Sequence, residues 1–291
     1  MKIIEYRKLW FAISAMIIII GGIILSINGL NFGIDFAGGT IINIDLHQTF
    51  EVSEIRDITD TFDERADITY SGDDREQVII QTQESLSNGQ RKEIFSQFQN
   101  KYNLTEKDLL SIDQVDPIIG DELKNQVLIA VSIAVIAMLI YITFRFELSF
   151  ALSAIIALTH DMLIVLAFYT IMRIQVNAPF IAAMLTILGY SINDTIVIFD
   201  RIRENRKRFK KNDYKNLVNT SISQSIARSI NTSLTTLITI TVLYILGVEA
   251  IRNFALPLIV GFLSGTYSSI FIASPVWYML KTRKQGNPRA V

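Results

Sequence analysis

Long apolar stretches, separated mostly by short polar segments, dominate the pattern along this chain. A membrane-spanning helix needs about 20 predominantly apolar residues, and six stretches of the sequence meet that length. They are Leu9–Ile27, Gln126–Phe144, Ser149–Met172, Ala178–Phe199, Ser225–Gly247 and Phe254–Leu280. Pro179 and Pro257 fall near the starts of two of them, where a missing backbone N–H costs least. The pattern predicts an α-helical membrane protein with six transmembrane helices.

One long polar segment, residues 29–124, separates the first two apolar stretches. Its first part alternates, with Ile42 and Ile44 on one face against Asn43 and Asp45 on the other, as in a strand with one buried face. The predicted elements are a strand at 40–46, a helix at 53–65, strands at 68–71 and 77–82, a helix at 90–102 and a strand at 109–115. The order β-α-β-β-α-β is the ferredoxin-like pattern. We therefore expect an α+β ferredoxin-like domain between helices 1 and 2.

Basic residues indicate which loops face the cytoplasm. The segment 201–215 carries eight Lys or Arg, whereas the loops on the opposite side hold Arg173 and Arg252. Because basic loops stay on the cytoplasmic side, both termini are predicted to be cytoplasmic and the polar domain extracytoplasmic. The predicted division is 1–28 for the N-terminus and helix 1, 29–124 for the outer domain, 125–280 for helices 2–6 with a basic cytoplasmic loop at 201–224, and 281–291 for a cytoplasmic tail. That loop is expected to meet anionic lipid headgroups, with docking of a cytoplasmic partner as the alternative.

Composition restricts the chemistry further. Half of the 291 residues are hydrophobic, and the mean hydropathy is +0.36. The chain has no cysteine and only two histidines, His47 and His160, which excludes disulfides, thiolate metal sites and a metal cluster built from histidines. No phosphate-binding loop, zinc motif or nucleophile elbow is present. The sequence favours a protein that is not an enzyme, has no cofactor, is powered by an ion gradient and has no nucleic-acid partner.

Among the charged residues within the predicted spans, an acid and a base stand on neighbouring spans. Asp194 lies in the fourth span and Arg228 a few residues into the fifth, and an ionisable group at membrane depth costs about 2.5–3.5 kcal/mol on insertion scales. The two lie at similar depth, about 9 Å and about 5 Å from the cytoplasmic ends of their spans at the rise of an α-helix, so we expect them to pair. Such a pair would couple proton passage to conformation; the alternatives are a static ion pair or an arginine that snorkels to the headgroups.

Further polar residues accompany this pair. Asn193 and Asn231 neighbour Asp194 and Arg228, and are expected either to hold water beside the charges or to hydrogen-bond between helices. Asp161, next to His160 halfway along the third span, is a candidate second relay position. Adjacent helix residues point about 100° apart, so these two need not touch. Gly261 and Gly265 form a Gly-x-x-x-Gly pattern, for which close helix packing is the favoured role over substrate contact.

Several runs, taken in this order and spacing, resemble the SecF family of bacterial protein-export membrane subunits. The runs are Phe32–Thr40, Val115–Gly120, Gly189–Thr195, Asp200–Asn205, Arg228–Thr236 and Gly265–Ser269. The family's intramembrane acid falls on Asp194 and its intramembrane arginine falls on Arg228. Position 229 is Ser where Thr is common in the family.

The resemblance implies a function and partners. SecF belongs to the resistance–nodulation–division superfamily and pairs with SecD to form a pseudo-symmetric twelve-helix complex in the bacterial cytoplasmic membrane. That complex joins the SecYEG channel and uses a proton gradient, or sodium in some bacteria, to help move unfolded secreted polypeptides. Two rival functions stay open from the residues: a small-molecule or lipid exporter of the same superfamily, and a scaffold that moves no ions. The single outer domain of about 100 residues argues against the exporter.

Overall fold

The computed structural model describes residues 1–285 apart from positions 65, 73, 74, 116, 211 and 248. Six helical segments of the described chain are long and apolar enough to cross a membrane. In chain order the helices are α1 (Arg7–Asn28), α2 (Ile34–Ala37), α3 (Val52–Thr59), α4 (Asn88–Tyr102), α5 (Pro117–Arg145), α6 (Leu148–Met172), α7 (Ala178–Asn205), α8 (Tyr214–Leu246), α9 (Glu249–Ser268) and α10 (Ser274–Gln285). A π-helical turn, Ser269–Ala273, joins α9 to α10, so these two helices form one span. The prediction of six candidate spans is confirmed.

The segment 201–224 differs from its prediction as a basic loop. Helix α7 continues to Asn205 and α8 already begins at Tyr214. The buried Asn205 amide joins the two helices, because its Nδ2 atom donates to Ser221 Oγ at 3.0 Å and to Gln224 Oε1 at 2.7 Å. Apolar residues that include the buried Leu217 stand between charged and polar residues in this part of the sequence, and they pack in the core of the helical region. Residues 286–291 of the predicted tail lie outside the described residues.

The polar segment after α1 contains a small sheet. Its strands are β1 (Gly39–Asp45), β2 (Asp67–Ser71), β3 (Gln77–Thr82) and β4 (Leu109–Val115), in the order β2–β3–β1–β4 with each neighbouring pair antiparallel. The alternation predicted for β1 is present: Ile42 and Ile44 are buried in a core with Val78, Ile80 and Phe98. Helices α3 and α4 contribute Ile55, Ile58, Ile94 and Phe95 to the same core. Helix α3 ends earlier than predicted, at Thr59.

The helical region is built around α6, α7 and the α9–α10 span, which bury more of their surface than the other spans. Close packing depends on small residues. A Cβ atom on Gly261 would lie 2.3 Å from Ile187 Cδ1, and one on Gly265 would lie 3.0 Å from Ser191 Cβ. The favoured packing role of this glycine pair is consistent with that geometry. Helix α1 approaches α6 in the same way, since a Cβ on Gly21 would lie 2.4 Å from Ala167 Cβ.

Candidate ion-coupling site

Asp194 lies where α7, α8 and α9 meet. Its side chain is buried, with only 3% of the residue exposed, and its Oδ2 atom accepts a hydrogen bond from Ser233 Oγ of α8 at 3.0 Å. The Ser233 hydroxyl lies 2.6 Å from Thr266 Oγ1 of α9. At the next residue of α7, the hydroxyls of Thr195 and Ser269 are 2.8 Å apart. The carboxylate therefore contacts the Ser233 hydroxyl of α8, which in turn contacts the Thr266 hydroxyl of α9.

Arg228 is not part of this cluster, so the expected pairing with Asp194 is corrected. Its side chain is exposed on α8, and within the described ranges it forms no ion pair with Asp194. The reason is helical geometry. Ser233 is the α8 residue that faces Asp194, and five positions along an α-helix correspond to a rotation of about 140°. Arg228 therefore points away from α7.

The two asparagines also face outward. Asn231 is exposed on α8, and Asn193 is exposed on α7 although it precedes the buried Asp194. A step of one residue turns a helix by about 100°, which separates Asn193 from the carboxylate. The structure thus brings none of Arg228, Asn193 and Asn231 to the Asp194 cluster.

Asp161 on α6 occupies a second, fully buried cluster. Its carboxylate oxygens accept from three serine hydroxyls, those of Ser191 at 2.6 Å, Ser264 at 2.7 Å and Ser268 at 2.8 Å. His160 Nδ1 lies 3.1 Å from Asp161 Oδ1, so the two adjacent residues do touch. A carboxylate has about four acceptor positions, and these four partners occupy that capacity.

His160 extends the second cluster to α1. Its Nε2 atom lies 2.8 Å from Oγ of Ser14, which is buried in an otherwise apolar stretch of α1. In the tautomer with hydrogen on Nδ1, the imidazole donates to Asp161 and accepts from Ser14. The Asp161 cluster therefore connects four helices, α1, α6, α7 and α9.

The serines around Asp161 and Ser14 were not among the candidate residues of the sequence analysis. Two signals in the sequence pointed to them. Ser264 and Ser268 are four residues apart and therefore share a helix face. Ser14 interrupts an otherwise apolar stretch of α1.

Ion pairs connect the helix ends that lie near the basic segment 201–215. Glu147, between α5 and α6, contacts both Arg206, with Oε1 at 2.6 Å from Nη1, and Lys281. The hydrogen bond from Lys281, followed by that from Arg206, lowers the pKa of Glu147 below its usual range. At the N-terminus, the hydrogen bond from Asn219 is the main cause that lowers the pKa of Glu5 to about 2.

No group of three or more His, Asp and Glu side chains able to hold a metal occurs in the part of the chain that the structure describes.

Comparisons with known proteins agree on one family. The model described as protein export membrane protein SecD/SecF, C-terminal, matches residues 95–283, and the SecD/SecF GG motif matches residues 23–49. The protein translocase subunit SecF of Alicyclobacillus acidocaldarius is 38% identical over 97% of this chain and 93% of its own length. The SecF of Magnetococcus marinus is 39% identical over 91% of this chain and 88% of its own.

Longer relatives contain the same region within a larger protein. The protein translocase subunit SecDF of Bacillus subtilis is 36% identical over 96% of this chain, which spans 38% of that protein. The crystal structure of SecDF from Thermus thermophilus, a translocon-associated membrane protein, superimposes with a TM-score of 0.82 at 35% identity, covering 97% of this chain and 39% of that one. With these likenesses and its six apolar spans, the chain is a multi-pass membrane protein that belongs to the SecF family of protein-export translocase subunits.

Proposed function

We propose that this chain uses a transmembrane ion gradient, of protons or sodium, to promote the movement of secreted polypeptides through the Sec machinery. The observation that carries the proposal is the buried Asp194 carboxylate, held by one serine at the junction of three helices. A buried site penalises the charged form of a carboxylate, so binding or release of an ion at Asp194 changes the free energy of this helix arrangement. Ion binding there can therefore drive a shift of the helices.

The two buried acids have different roles in this proposal. Burial penalises a charged carboxylate, and each hydrogen bond donated to it favours the charged form. Asp161 has four partners, namely three serines on α7 and α9 and its own neighbour His160, which suits a fixed group that holds α6, α7 and α9 together. Among the residues that the structure describes, Asp194 has the single donor Ser233, which suits the group that exchanges an ion.

SecD is the proposed partner within the membrane. Arg228 and Asn231 are exposed on α8 together with large apolar side chains such as Leu234 and Ile238. An exposed arginine at membrane depth is costly in lipid, so this face of α8 is proposed to be covered by SecD, with Arg228 acting across that interface. This chain matches 38% of the Bacillus subtilis SecDF and 39% of the Thermus thermophilus SecDF, so both relatives contain a further region, which supports SecD as the partner.

The proposed topology places both termini in the cytoplasm and the sheet domain outside the cytoplasmic membrane. Basic residues at the N-terminus and in the α7–α8 connection support this orientation. The antiparallel order β2–β3–β1–β4, with both helices on one face, supports a ferredoxin-like domain over 29–124 between the first and second spans. The SecYEG channel, the translocating polypeptide and membrane lipid are the further proposed partners.

Secretion into inverted membrane vesicles tests the proposal. Vesicles that contain SecD and either the native chain or Asp194→Asn are compared with and without an imposed ion gradient. We expect the gradient to stimulate translocation by the native chain and not by Asp194→Asn. Asp200→Asn is the matched control, because Asp200 lies on the same helix but pairs with Arg203 at its end. Equal stimulation of all three would favour a scaffold that moves no ions.

A further inference from the structure

The segment between α1 and β1, residues 29–38, does not belong to the candidate site, yet it is attached to the start of α7. The Gly33 N–H donates to the Val176 carbonyl at 2.7 Å, and the Val176 N–H donates to the Asn31 carbonyl at 2.7 Å. Phe32 and Val176 thus form a parallel β-bridge. This bridge fixes the segment to the connection between α6 and α7.

Asp35 makes the contact with α7 itself. Its Oδ2 atom accepts from the backbone N–H of Ala178, the first residue of α7, at 2.8 Å. The first N–H groups of a helix have no partner within the helix, and a carboxylate there is also favoured by the helix dipole. Asn177 caps the same helix end, with Oδ1 accepting from the Phe180 N–H at 3.2 Å. Helix α7 is therefore capped once by its own preceding residue and once from 143 positions earlier in the chain.

The connection between Asp35 and the sheet is short. Phe36, the next residue, is buried among Tyr169, Phe180 and Met184 of the helical region. Strand β1 begins three residues later, at Gly39. Position 39 requires glycine, because its φ of 144° is rarely adopted by other residues and a Cβ there would lie 2.1 Å from the Thr82 carbonyl oxygen of β3. Asp35 is therefore joined to the sheet by a connection of three residues, Phe36, Ala37 and Gly38.

We propose that Asp35 is a positioning residue that couples the sheet domain to α7, the helix that carries Asp194. From Ala178 to Asp194 the helix spans about 24 Å at the rise of an α-helix. A helix transmits displacement along its axis because each turn is hydrogen-bonded to the next. Movement of the sheet domain and occupancy of the Asp194 site are then linked in both directions. The inference rests on the proposed function, in which Asp194 is the ion-coupling group.

The experiment measures geometry and coupling in the same protein, assembled with SecD. Because the chain has no cysteine, Ser96→Cys on α4 and Thr186→Cys on α7 attach spin labels at two exposed positions without further changes. Distance distributions and gradient-stimulated translocation are recorded for the native chain, Asp35→Ala, Asp35→Asn, Asn177→Ala and Asp194→Asn. Asparagine keeps an acceptor oxygen at position 35. Asn177→Ala removes a cap from the same helix end without touching the sheet domain.

The expected result is specific to Asp35. Asp35→Ala broadens the distance distribution and abolishes stimulation by the gradient while translocation without a gradient stays unchanged; Asp35→Asn restores both, and Asn177→Ala changes neither. The proposal is overturned if Asp35→Ala keeps the stimulation, or if Asn177→Ala has the same effect as Asp35→Ala. Failure of the proposed function is a separate result, namely stimulation that survives in Asp194→Asn.

Discussion

The carboxylate of Asp194 and the hydroxyl of Ser233 meet across two consecutive helices, with 3.0 Å between Oδ2 and Oγ. This contact sets the rotation of α8 against α7, and it explains why Arg228 faces outward rather than toward the acid.

Ser233→Ala is expected to reduce gradient-stimulated translocation, because it removes the hydroxyl that donates to Asp194. The hydrogen bond contributes about 1.5–3 kcal/mol when its acceptor is charged. Ser229→Ala is the matched control, since Ser229 is equally buried on α8 but its Oγ has no hydrogen-bond partner among the described residues. The vesicle secretion assay measures both variants; an equal effect of the two would contradict a role for the Asp194–Ser233 contact.

Asp161→Ala is expected to destabilise the protein by about 3 kcal/mol or more, because it leaves three buried serine hydroxyls without their acceptor. Asp194→Ala leaves one described hydroxyl, that of Ser233, without its acceptor, and is expected to lower the free energy of unfolding by less. Thermal unfolding of the purified complex with SecD compares the two. A larger loss for Asp194→Ala would refute the assignment of Asp161 as the fixed group that holds the helices.

Gly21→Ala is expected to destabilise the contact between α1 and α6 by about 1–3 kcal/mol, since its Cβ would lie 2.4 Å from Ala167 Cβ and 2.6 Å from the backbone Cα. Gly22→Ala meets no atom within 4 Å, and is expected to be neutral or slightly stabilising through its higher helix propensity. Thermal unfolding distinguishes these neighbours, and similar melting temperatures for both variants would argue against the close approach.

The stabilising effect of Glu147 is expected to depend on pH. Because Lys281 and Arg206 lower its pKa in the folded protein, the contribution is complete above the ordinary glutamate value of about 4.3. It is lost as the pH falls through the lowered folded value. The side chain is half exposed, with 51% accessible, so the contribution is below about 1 kcal/mol.

Thermal unfolding of Glu147→Gln against pH measures this contribution. The variant is expected to be less stable than the native chain at neutral pH and equally stable in acid. Glu93→Gln, at an exposed position on α4, serves as the control. A difference from the native chain that persists or grows in acid would contradict the ion pairs.

The sequence predicted the six apolar spans well because a transmembrane helix requires a continuous apolar stretch that no distant contact has to supply. Strand β1 was also predictable, since its alternation of apolar and polar residues records which face is buried. The start of α8 was not. Its buried Leu217 and Val218 stand among charged residues, and their burial depends on a core formed by distant helices.

The sequence by itself singled out Asp194 and Asp161 as candidates, because a carboxylate within an apolar stretch is costly wherever the helix packs. Only the tertiary structure decided that Ser233 lies beside Asp194, that three serines and His160 surround Asp161, and that Arg228 faces outward. Helices that are apolar on most sides carry little periodicity to report their rotation. Which side chains meet is therefore set by the close packing of one helix against another.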